Sequence, residues 1–464
     1  MSQYYTRMSN RNFNNQGRGQ GRGRGRGANY QNDREHADSR VPAPVLFNRL
    51  VERYYAAEPH IADVTTNHEL EVKFGTKGVQ PLTKIDYDSV IRKLKSLGFS
   101  SANEQGGYLL RMYYEHLDKS GQFSESKIRT EVTGFRAIQD YCKSNDILKL
   151  ISAEEHMRSV KFVKKNRVYE NDELVRDVNF NDFNFRVSYQ TEEEISLSNI
   201  IVRNVTQNWN QTKKSFRYIN RVTFTHEDLP INVDISIVKS SHKEGWDLKK
   251  TYTTDEGGVF SNPEVYEIEV EVDNSRVGPG TQFGSADTIL VALRKAIKYI
   301  LMGLQSTNYP VSVYEQKDAL QSYMKLLHGE TYDVDKRVYP KNFVGPSSVT
   351  LQIEHIIPVD ENMNVPNIRK NYVVTDKADG ERHLMYISKA GKIYLINTNM
   401  KVVFTGVITD EKAIFNSLFD GELILHNKLG QFINLFAVFD VYYIAKDDVR
   451  ALGFMTEHDD QKTR

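Results

Sequence analysis

Apolar and polar residues alternate with a period of two through most of the chain between His68 and about residue 273. Asn, Asp and Gly residues separate the alternating runs, and many of the apolar members are β-branched or aromatic. This pattern is typical of half-buried strands joined by turns. One segment, KIDYDSVIRKLKSLGF, interrupts the strands and predicts a helix. We therefore predict a mostly antiparallel β domain that is large enough to close into a barrel.

Helical periodicity lies on both sides of this β region. It predicts a first helix in VLFNRLVERYYA, a second in SADTILVALRKAIKYILMGLQ and a third in SVYEQKDALQSYMKLLHG. A new set of strands is predicted after the segment VGPSSVTL, continuing almost to the end of the chain. The helices place a domain boundary near residue 310, with one domain at 41–310 and another at 311–464.

The first 40 residues differ in composition from the rest. They contain eight arginines, three acidic residues and the repeat GRGRGRG, whereas the whole chain of 464 residues has no net charge. Such a segment cannot bury enough apolar surface to offset the entropy of ordering, so we predict a disordered tail at 1–40. Its guanidinium groups suit phosphates and unpaired bases, and a solubilising leader is the alternative interpretation.

Cysteine content and hydropathy restrict the location of the protein. The single cysteine, Cys142, excludes an internal disulfide framework and a Cys-rich zinc site. A lone thiol is typical of a reducing compartment, so we predict a cytoplasmic protein. The chain has no run of 18 apolar residues, and its N-terminus lacks the apolar stretch of a signal peptide. We therefore predict no membrane segment.

Two of the predicted strands, ELEVKFG and YEIEVEV, carry charged residues on one face and apolar residues on the other. The charged faces hold Glu69, Glu71, Lys73, Glu267, Glu269 and Glu271. Like charges at this spacing repel unless cations lie between them, and a solvated outer face is the alternative for either strand alone. The strands between these two carry basic residues, among them Arg129, Lys161, Lys165, Arg186, Arg217 and Arg221.

Basic side chains that also point inward would give the barrel two chemically different walls. The acidic wall would bind a divalent cation and the basic wall a polyphosphate. Mg²⁺ and Mn²⁺ prefer carboxylate, water and phosphate oxygens, so a carboxylate cluster without cysteine or paired histidine suits them. The pattern therefore predicts a metal-dependent triphosphate site inside the barrel.

The two glutamate strands resemble those of the triphosphate tunnel metalloenzymes, in particular the metal-dependent RNA 5′-triphosphatases of viral and fungal capping systems. The resemblance covers about residues 60 to 275 and implies an eight-stranded antiparallel tunnel. The metal-binding and catalytic residues that it implies are Glu69, Glu71, Glu267 and Glu269. The phosphate-binding residues that it implies are Lys73, Arg129, Lys161, Arg186 and Arg221. In addition, Asp234 would contact metal-bound water, Glu271 would orient the attacking water, and Lys239 would share this face only through a bulge.

A second motif, KADGER, places Lys377 after an apolar segment that we predict to be a strand, and before Asp379. A lysine acts as a nucleophile only when it is neutral, so its site must lower the pKa through burial or nearby cations. An ordinary turn is the alternative, because Asp-Gly is a common hairpin signal. The motif resembles the KxDGxR of capping guanylyltransferases and ATP-dependent polynucleotide ligases, which form a covalent lysyl-nucleotide.

Three further segments stand in the order of that family. SLFDGELIL resembles its DGE strand, FAVFDVYYI resembles a later motif, and FVGPSSVTL is similar to a segment of guanylyltransferases that ligases lack. The resemblance implies a nucleotide site made of Lys377, Asp379, Arg382, Glu422, Phe439 and Asp440. Thr398 stands near the place of an arginine of the capping enzymes. The chain ends before the family's last strands and OB-fold, so we expect a longer polypeptide or a second chain to supply them.

Together the resemblances imply an α+β chain with an Arg-Gly-rich tail, an antiparallel eight-stranded tunnel and a partial nucleotidyltransferase domain. The implied function is mRNA 5′-capping, in the domain order of poxviruses and other large cytoplasmic DNA viruses. The γ-phosphate of 5′-triphosphate RNA would be removed with Mg²⁺ or Mn²⁺, and Lys377 would then transfer GMP from GTP. A methyltransferase domain is expected further on, and the location would be a viral factory or virion. The alternatives are a polynucleotide ligase-like nucleotidyltransferase with a polyphosphatase domain, and a non-catalytic RNA-binding scaffold.

Overall fold

The structure is a computed structural model. It describes residues 41–61, 66–75, 81–103, 106–117, 123–245, 247–333, 335–362, 364–370, 372–455 and 463. The Arg-Gly tail predicted at 1–40 lies outside the described residues.

Short and long strands alternate with helices up to residue 328. The strands in this part are β1 (Thr66–Phe74), β2 (Gly107–Leu117), β3 (Phe123–Thr133), β4 (Val160–Arg167), β5 (Tyr169–Glu170), β6 (Glu173–Leu174), β7 (Val178–Phe180), β8 (Phe185–Glu194), β9 (Lys214–His226), β10 (Leu229–Ser240), β11 (Lys243–Glu244), β12 (Asp247–Leu248) and β13 (Val265–Val272). The helices are α1 (Ala43–Ala56), α2 (Lys84–Ser96), α3 (Phe135–Ser144), α4 (Ile147–Ser152), α5 (Ile200–Gln207), α6 (Ala286–Gln305) and α7 (Val313–His328).

Eight antiparallel strands close into a barrel. Around the circumference the order is β1, β13, β10, β9, β2, β3, β4 and β8, and β8 pairs with β1 to complete the ring. The closing pair keeps one register from Thr66 opposite Glu193 to Phe74 opposite Phe185. β7 pairs with β8 beside the ring. The predicted antiparallel eight-stranded barrel is therefore confirmed.

The barrel is polar inside and apolar outside. Leu70 and Val72 of β1, and Ile268 and Val270 of β13, are 0% exposed although they lie on the outer face. The residues of β13 are buried because helices cover this face: α2 contacts β13, and α6 contacts β10 and β13. Since side chains alternate across a strand, the carboxylates between these apolar residues point into the interior. The alternative of a solvated acidic face is excluded.

The two helices that cover β13 pack closely against each other. A capping box between Thr83 and Asp86 starts α2, and the hydroxyl of Ser285 accepts the backbone hydrogen bond that starts α6. The helices meet at Gly303, where a Cβ atom would lie 2.8 Å from the Cα atom of Val90. A larger residue at position 303 would push the helices apart.

A second group of helices, α3 to α5, belongs to the core that also contains buried residues of β2, β3 and β9, together with Trp209. Lys214, the first residue of β9, is fully buried beside this core. Its amine donates to the carbonyl oxygen of Trp209 at 2.7 Å and lies 4.8 Å from the centre of the indole ring. Burial lowers the pKa of Lys214 to about 8, because a buried ammonium loses its hydration.

The remaining strands form a second antiparallel sheet. They are β14 (Glu381–Ile387), β15 (Lys392–Asn397), β16 (Val402–Ile408), β17 (Ser417–His426), β18 (Phe432–Ile444) and β19 (Asp447–Asp448). The order across the sheet is β16, β15, β14, β17, β18 and β19. One face packs against α7, where Tyr323 and Met324 join Leu384 and Tyr386 in a common core.

The predicted strand before Lys377 is wrong. Residues 372–380 contain no strand, and Val374 in this segment is 99% exposed. The reason is the pairing of the neighbouring strand: β14 already pairs with β15 on one side and with β17 on the other. No sheet edge at β14 is left for another strand.

None of the helices in the described ranges is both long enough and apolar enough to cross a lipid bilayer.

Candidate active sites

The barrel encloses a polar cavity of about 250 Å³. All eight strands contribute to it, and every lining side chain carries a charge or a hydrogen-bonding group. The lining residues are Glu69, Glu71, Lys73, Arg111, Tyr113, Arg129, Lys165, Arg186, Ser188, Gln190, Glu192, Arg217, Arg221, Asp234, Glu269 and Glu271.

Carboxylates gather where β1, β13 and β10 lie side by side. Glu71 is directly opposite Glu271 in one strand pair, and Asp234 is directly opposite Glu269 in the other. Like charges that face each other in a sheet destabilise it. Burial and the charges of Glu69, Asp234 and Glu71 raise the pKa of Glu271 to about 8. Among the described residues, Lys165 pairs with Glu69 and Arg221 pairs with Asp234, each at 2.7 Å, whereas Glu271 forms no ion pair. The deficit of positive charge therefore lies at Glu271.

The pKa values of the two acidic residues of β1 are also raised. Burial raises the pKa of Glu69 to about 7. Burial and the charge of Glu269 raise the pKa of Glu71 as well. A divalent cation would offset both the lost hydration and the repulsion, and clustered carboxylate oxygens are the ligands that Mg²⁺ and Mn²⁺ prefer. The donor set fits such a cation, and the residues that could hold it are Glu69, Glu71, Asp234 and Glu271.

Glu267 and Glu269 have a different environment, because cations of the protein already neutralise them. Lys73 forms ion pairs with both carboxylates, and Arg217 lies 2.7 Å from Glu267. Burial opposes the ionisation of Glu269, but Lys73 and Arg221 outweigh it and lower the pKa of Glu269 to about 2. A metal ion at these two carboxylates would have to displace these ion pairs. The charge distribution therefore favours Glu271 over Glu267 as the ligand from β13.

The basic side chains of the cavity form ion pairs with carboxylates. Arg129 is buried, with Nε at 2.8 Å from Glu131 and Nη2 at 2.6 Å from Glu192. Lys165 lies 2.7 Å from Glu69 and 3.5 Å from Glu71, so it links the basic side of the cavity to the acidic side. Guanidinium groups match the oxygens of carboxylate and phosphate equally well. A bound phosphate chain could therefore exchange with these carboxylates as the partner of the basic groups.

The structure brings most of the predicted tunnel residues together. Nine of them line the cavity: Glu69, Glu71, Lys73, Arg129, Arg186, Arg221, Asp234, Glu269 and Glu271. Glu267 lies on the same strand face and contacts two of the inward cations.

Two predicted residues lie elsewhere. Lys161 does not line the cavity: its side chain is half exposed and its amine pairs with Glu194 at 2.8 Å. Lys239 also lies outside the cavity, where its amine donates to the carbonyl oxygen of Phe260 at 3.2 Å. The bulge that would have turned Lys239 inward is absent from its part of β10, because the register shift of the β9–β10 pair lies between Leu229 and Asn232.

Five lining residues were not predicted from the sequence, namely Arg111, Tyr113, Ser188, Gln190 and Glu192. The signal that could have found them is strand parity. Gln190 and Glu192 stand an even number of residues after Arg186, so they must share its face. Likewise Arg111 is flanked by Leu110 and Met112, which are 0% exposed on the outer face.

The nucleotidylation motif is anchored to the second sheet through Arg382. Its guanidinium donates to the fully buried Asp420 at 2.5 and 3.1 Å, and to the carbonyl oxygen of Pro346 at 2.8 Å. The hydroxyl of Tyr442 donates to the same carboxylate at 2.5 Å. The motif is therefore tied to the VGPSSVTL segment and to β17. Sequence reasoning did not single out Asp420, although it is the first residue of DGE.

The other predicted nucleotide residues lie on neighbouring strands. Glu422 of β17 is directly opposite Arg382 of β14, and Asp440 of β18 is directly opposite Asp420. Phe439 is 40% exposed, so its ring is accessible for stacking.

Lys377 is not in the environment that the sequence predicted. Its side chain is 83% exposed, and its amine lies 2.8 Å from the carboxylate of Asp379. The hydrogen bond and the charge of Asp379 raise the pKa of Lys377, whereas a nucleophile needs a lowered pKa. The physical reason is the missing strand before Lys377, since an irregular exposed segment supplies neither burial nor neighbouring cations.

Sequence comparison finds similarity to mRNA-capping enzymes. Residues 310–458 match the family model of the mRNA capping enzyme catalytic domain. A probable mRNA-capping enzyme of Acanthamoeba polyphaga mimivirus is 28% identical over 333 residues, which cover 71% of this chain. The chain resembles a viral mRNA-capping enzyme. It spans 23% of the length of the mimivirus protein.

Two solved structures are also similar to part of the chain. The triphosphatase of the mimivirus capping enzyme is 16% identical, with a TM-score of 0.32, over 56% of this chain and 96% of that one. The RNA triphosphatase Pct1 of S. pombe is 12% identical, with a TM-score of 0.30, over 56% of this chain and 93% of that one.

Proposed function

We propose that this protein is an mRNA 5′-capping enzyme. Its barrel removes the γ-phosphate from the triphosphate end of RNA with Mg²⁺ or Mn²⁺, and its second sheet belongs to a guanylyltransferase. The observation that carries the proposal is the closed barrel whose interior combines a carboxylate cluster with seven lysine and arginine side chains. We expect the enzyme to act in the cytoplasm.

The carboxylates of β1, β10 and β13 have the role of holding the metal ion. Glu69, Glu71, Asp234 and Glu271 present oxygen atoms to one region of the cavity, and a divalent ion bound there would polarise the γ-phosphate. The carboxylate of Glu271 is also able to accept a hydrogen bond from a water molecule and so to orient it for attack on phosphorus.

The basic residues of the cavity stabilise charge on the phosphate. Arg129, Arg186, Arg221, Lys73 and Lys165 come from different strands, so they surround a chain of phosphates rather than contact one side of it. Their guanidinium and ammonium groups would neutralise the charge that develops on the phosphate oxygens in the transition state. Because the ion pairs already hold these groups in place, little reorganisation is needed when phosphate binds.

The second activity uses the nucleotidylation motif. The amine of Lys377 attacks the α-phosphate of GTP, pyrophosphate leaves, and GMP passes to the diphosphate end of the RNA. Arg382 and Glu422 face each other across β14 and β17 and form the floor of this site. Because Asp379 holds the Lys377 amine in its protonated form, this pair must separate before attack.

The triphosphatase is tested by replacing Glu271 with Gln. This change keeps the shape of the side chain and removes one negative charge from a cluster that repels itself. We expect release of phosphate from triphosphate-ended RNA to fall on the order of a hundredfold. The unfolding midpoint measured without metal should stay the same or rise, because like charges are removed. A change that lowers activity and does not lower stability separates a role in chemistry from a role in folding.

The matched control is Glu193→Gln on β8. Glu193 is adjacent to the cavity residue Glu192 but points outward, where it is 4.0 Å from Lys164. It should keep wild-type activity, and chelation of the metal should abolish activity in every variant. Full activity of Glu271→Gln with Mg²⁺ or Mn²⁺ would refute the assignment of this cavity as the triphosphatase site.

A further inference from the structure

Five cations on α2 and α6 have no acidic partner among the residues that the structure describes. They are Arg92, Lys93, Arg294, Lys295 and Lys298, and we call them the basic helix surface. Within the described residues their contacts are to neutral groups. Arg92 donates to the hydroxyl of Ser89 at 3.3 Å, Lys93 to the side-chain oxygen of Asn308 at 2.8 Å, and Arg294 to that of Asn48 at 3.0 Å. Lys295 lies 5.9 Å from the ring centre of Tyr299.

This surface contrasts with the cavity, where cations such as Arg129 and Lys165 are paired with carboxylates. The two helices pack side by side at Gly303, and the cations of α6 lie about one and a half to two and a half turns before that contact. The one acidic residue of α6, Asp287, lies in its first turn. Uncompensated positive charge on neighbouring helices raises the local potential and attracts a polyanion.

The surface continues into a groove. Arg92 and Lys93 also line a cavity of about 880 Å³ between these helices and the face of the second sheet that is opposite α7. None of the described residues that line the groove is acidic. Its aromatic side chains include Tyr309, which is 55% exposed, and Phe432, which is 68% exposed. Exposed rings beside unpaired cations are the elements that bind single-stranded nucleic acid, because bases stack while phosphates pair.

We propose that the basic helix surface and this groove bind the single-stranded part of the RNA behind its 5′ end. The inference rests on the proposed function, which supplies an RNA substrate. An acidic protein segment would also be attracted by the charge, but it does not account for exposed rings next to the cations. The groove lies between the second sheet and two helices that cover the barrel, so a strand held there would stay attached while its 5′ end moves between the two sites.

The contribution of the cations to RNA binding is tested with a 5′-hydroxyl single-stranded RNA. This RNA has no 5′-triphosphate that could bind in the barrel cavity. The full chain is compared with a variant that carries Arg92→Ala, Lys93→Ala, Lys295→Ala and Lys298→Ala. Each phosphate contact contributes about 0.7 to the slope of log affinity against log salt, so this slope should fall by about 3. The affinity at low salt should fall more than tenfold.

A control variant loses the same charge elsewhere. Its substitutions replace exposed cations distant in sequence from both helices: Lys149→Ala, Arg158→Ala, Lys389→Ala and Lys412→Ala. It should bind the RNA with the wild-type salt slope.

The contribution of base stacking is tested by two further substitutions. Tyr309→Ala and Phe432→Ala remove rings without charge, so affinity should fall about fivefold or more while the salt slope stays unchanged. Both side chains are more than half exposed, so folding should be retained.

Three results would overturn the proposal. They are an unchanged salt slope in the quadruple variant, an equal loss in the charge control, and displacement of the RNA by poly-glutamate at concentrations where single-stranded RNA fails to compete. The last result would identify an acidic protein as the ligand. Phosphate release from a nucleoside triphosphate, which is too short to reach the groove, should remain normal in the quadruple variant, so a failure here is distinguishable from a failure of the triphosphatase assignment.

Discussion

The buried amine of Lys214 makes the stability of the barrel depend on pH. Lys214 opens β9, the strand that carries Arg217 and Arg221, and it is buried with only the carbonyl oxygens of Trp209 and Thr212 as hydrogen-bond acceptors. These neutral acceptors do not replace the hydration of an ammonium group. We predict that Lys214→Met removes a pH-dependent term from the free energy of unfolding.

The size of this term follows from the pKa of Lys214, which burial lowers from 10.5 to about 8. A tenfold change in proton affinity is worth about 1.4 kcal/mol, so the difference amounts to about 3 kcal/mol. Below pH 8 the folded and unfolded states both keep the proton. Between pH 8 and 10.5 the folded state loses it first, so the unfolded state binds more protons and the free energy of unfolding rises with pH.

The assay is urea unfolding followed by the fluorescence of Trp209, whose ring lies beside the Lys214 amine. The chain has two tryptophans, so a Trp246→Phe background makes Trp209 the only reporter. The free energy of unfolding of the parent should rise by about 3 kcal/mol more than that of Lys214→Met between pH 7.5 and pH 10.5. Lys213→Met changes the exposed neighbouring lysine and should behave like the parent. Parallel pH profiles of the parent and Lys214→Met would refute the reasoning.

The remaining predictions concern each part of the chain. Radiolabelled GTP should give an acid-labile protein adduct that Lys377→Arg abolishes without loss of phosphate release. An adduct from ATP and not GTP would favour the ligase alternative. Deletion of 1–40 should weaken RNA binding and flatten its salt dependence in anisotropy titrations, and unchanged values would leave only the solubilising-leader interpretation. Gly303→Leu should lower the free energy of unfolding in urea by about 1–3 kcal/mol, because the side chain meets Val90.

The fold of the barrel could be predicted because its strands alternate strictly. Charged and apolar residues alternate from Glu69 to Phe74 in β1 and from Glu267 to Val272 in β13. This alternation predicts that each strand has one buried apolar face and one charged face. The sequence could not decide whether the charged face was inside, because period two is the same for a barrel with a polar interior and one with a polar exterior. β1 and β8 are far apart in sequence, and their pairing closes the ring, so that the sheet has an inner and an outer face.

Charge partners were harder to predict than strand faces. Glu267 and Glu271 have the same parity and the same residue type, yet Glu267 pairs with Lys73 and Arg217 while Glu271 faces Glu71. The difference depends on the stagger of antiparallel neighbours, which alternation within one strand does not contain. The predicted environment of Lys377 was wrong for a related reason. An apolar run forms a strand only where a neighbouring strand has a free edge.

The polar interior of the barrel makes correct strand register a condition for both folding and activity. In β1 a shift of one residue would place Leu70 and Val72 in the cavity and would bury Glu69 and Glu71 beneath the covering helices. The shifted species would lose the carboxylates that we propose as metal ligands and would also bury unpaired charge against apolar side chains, which costs several kcal/mol. A mispaired barrel therefore cannot persist as a stable, inactive form of the protein. The alternation that places the charged residues in the cavity therefore also disfavours incorrect pairing of the strands.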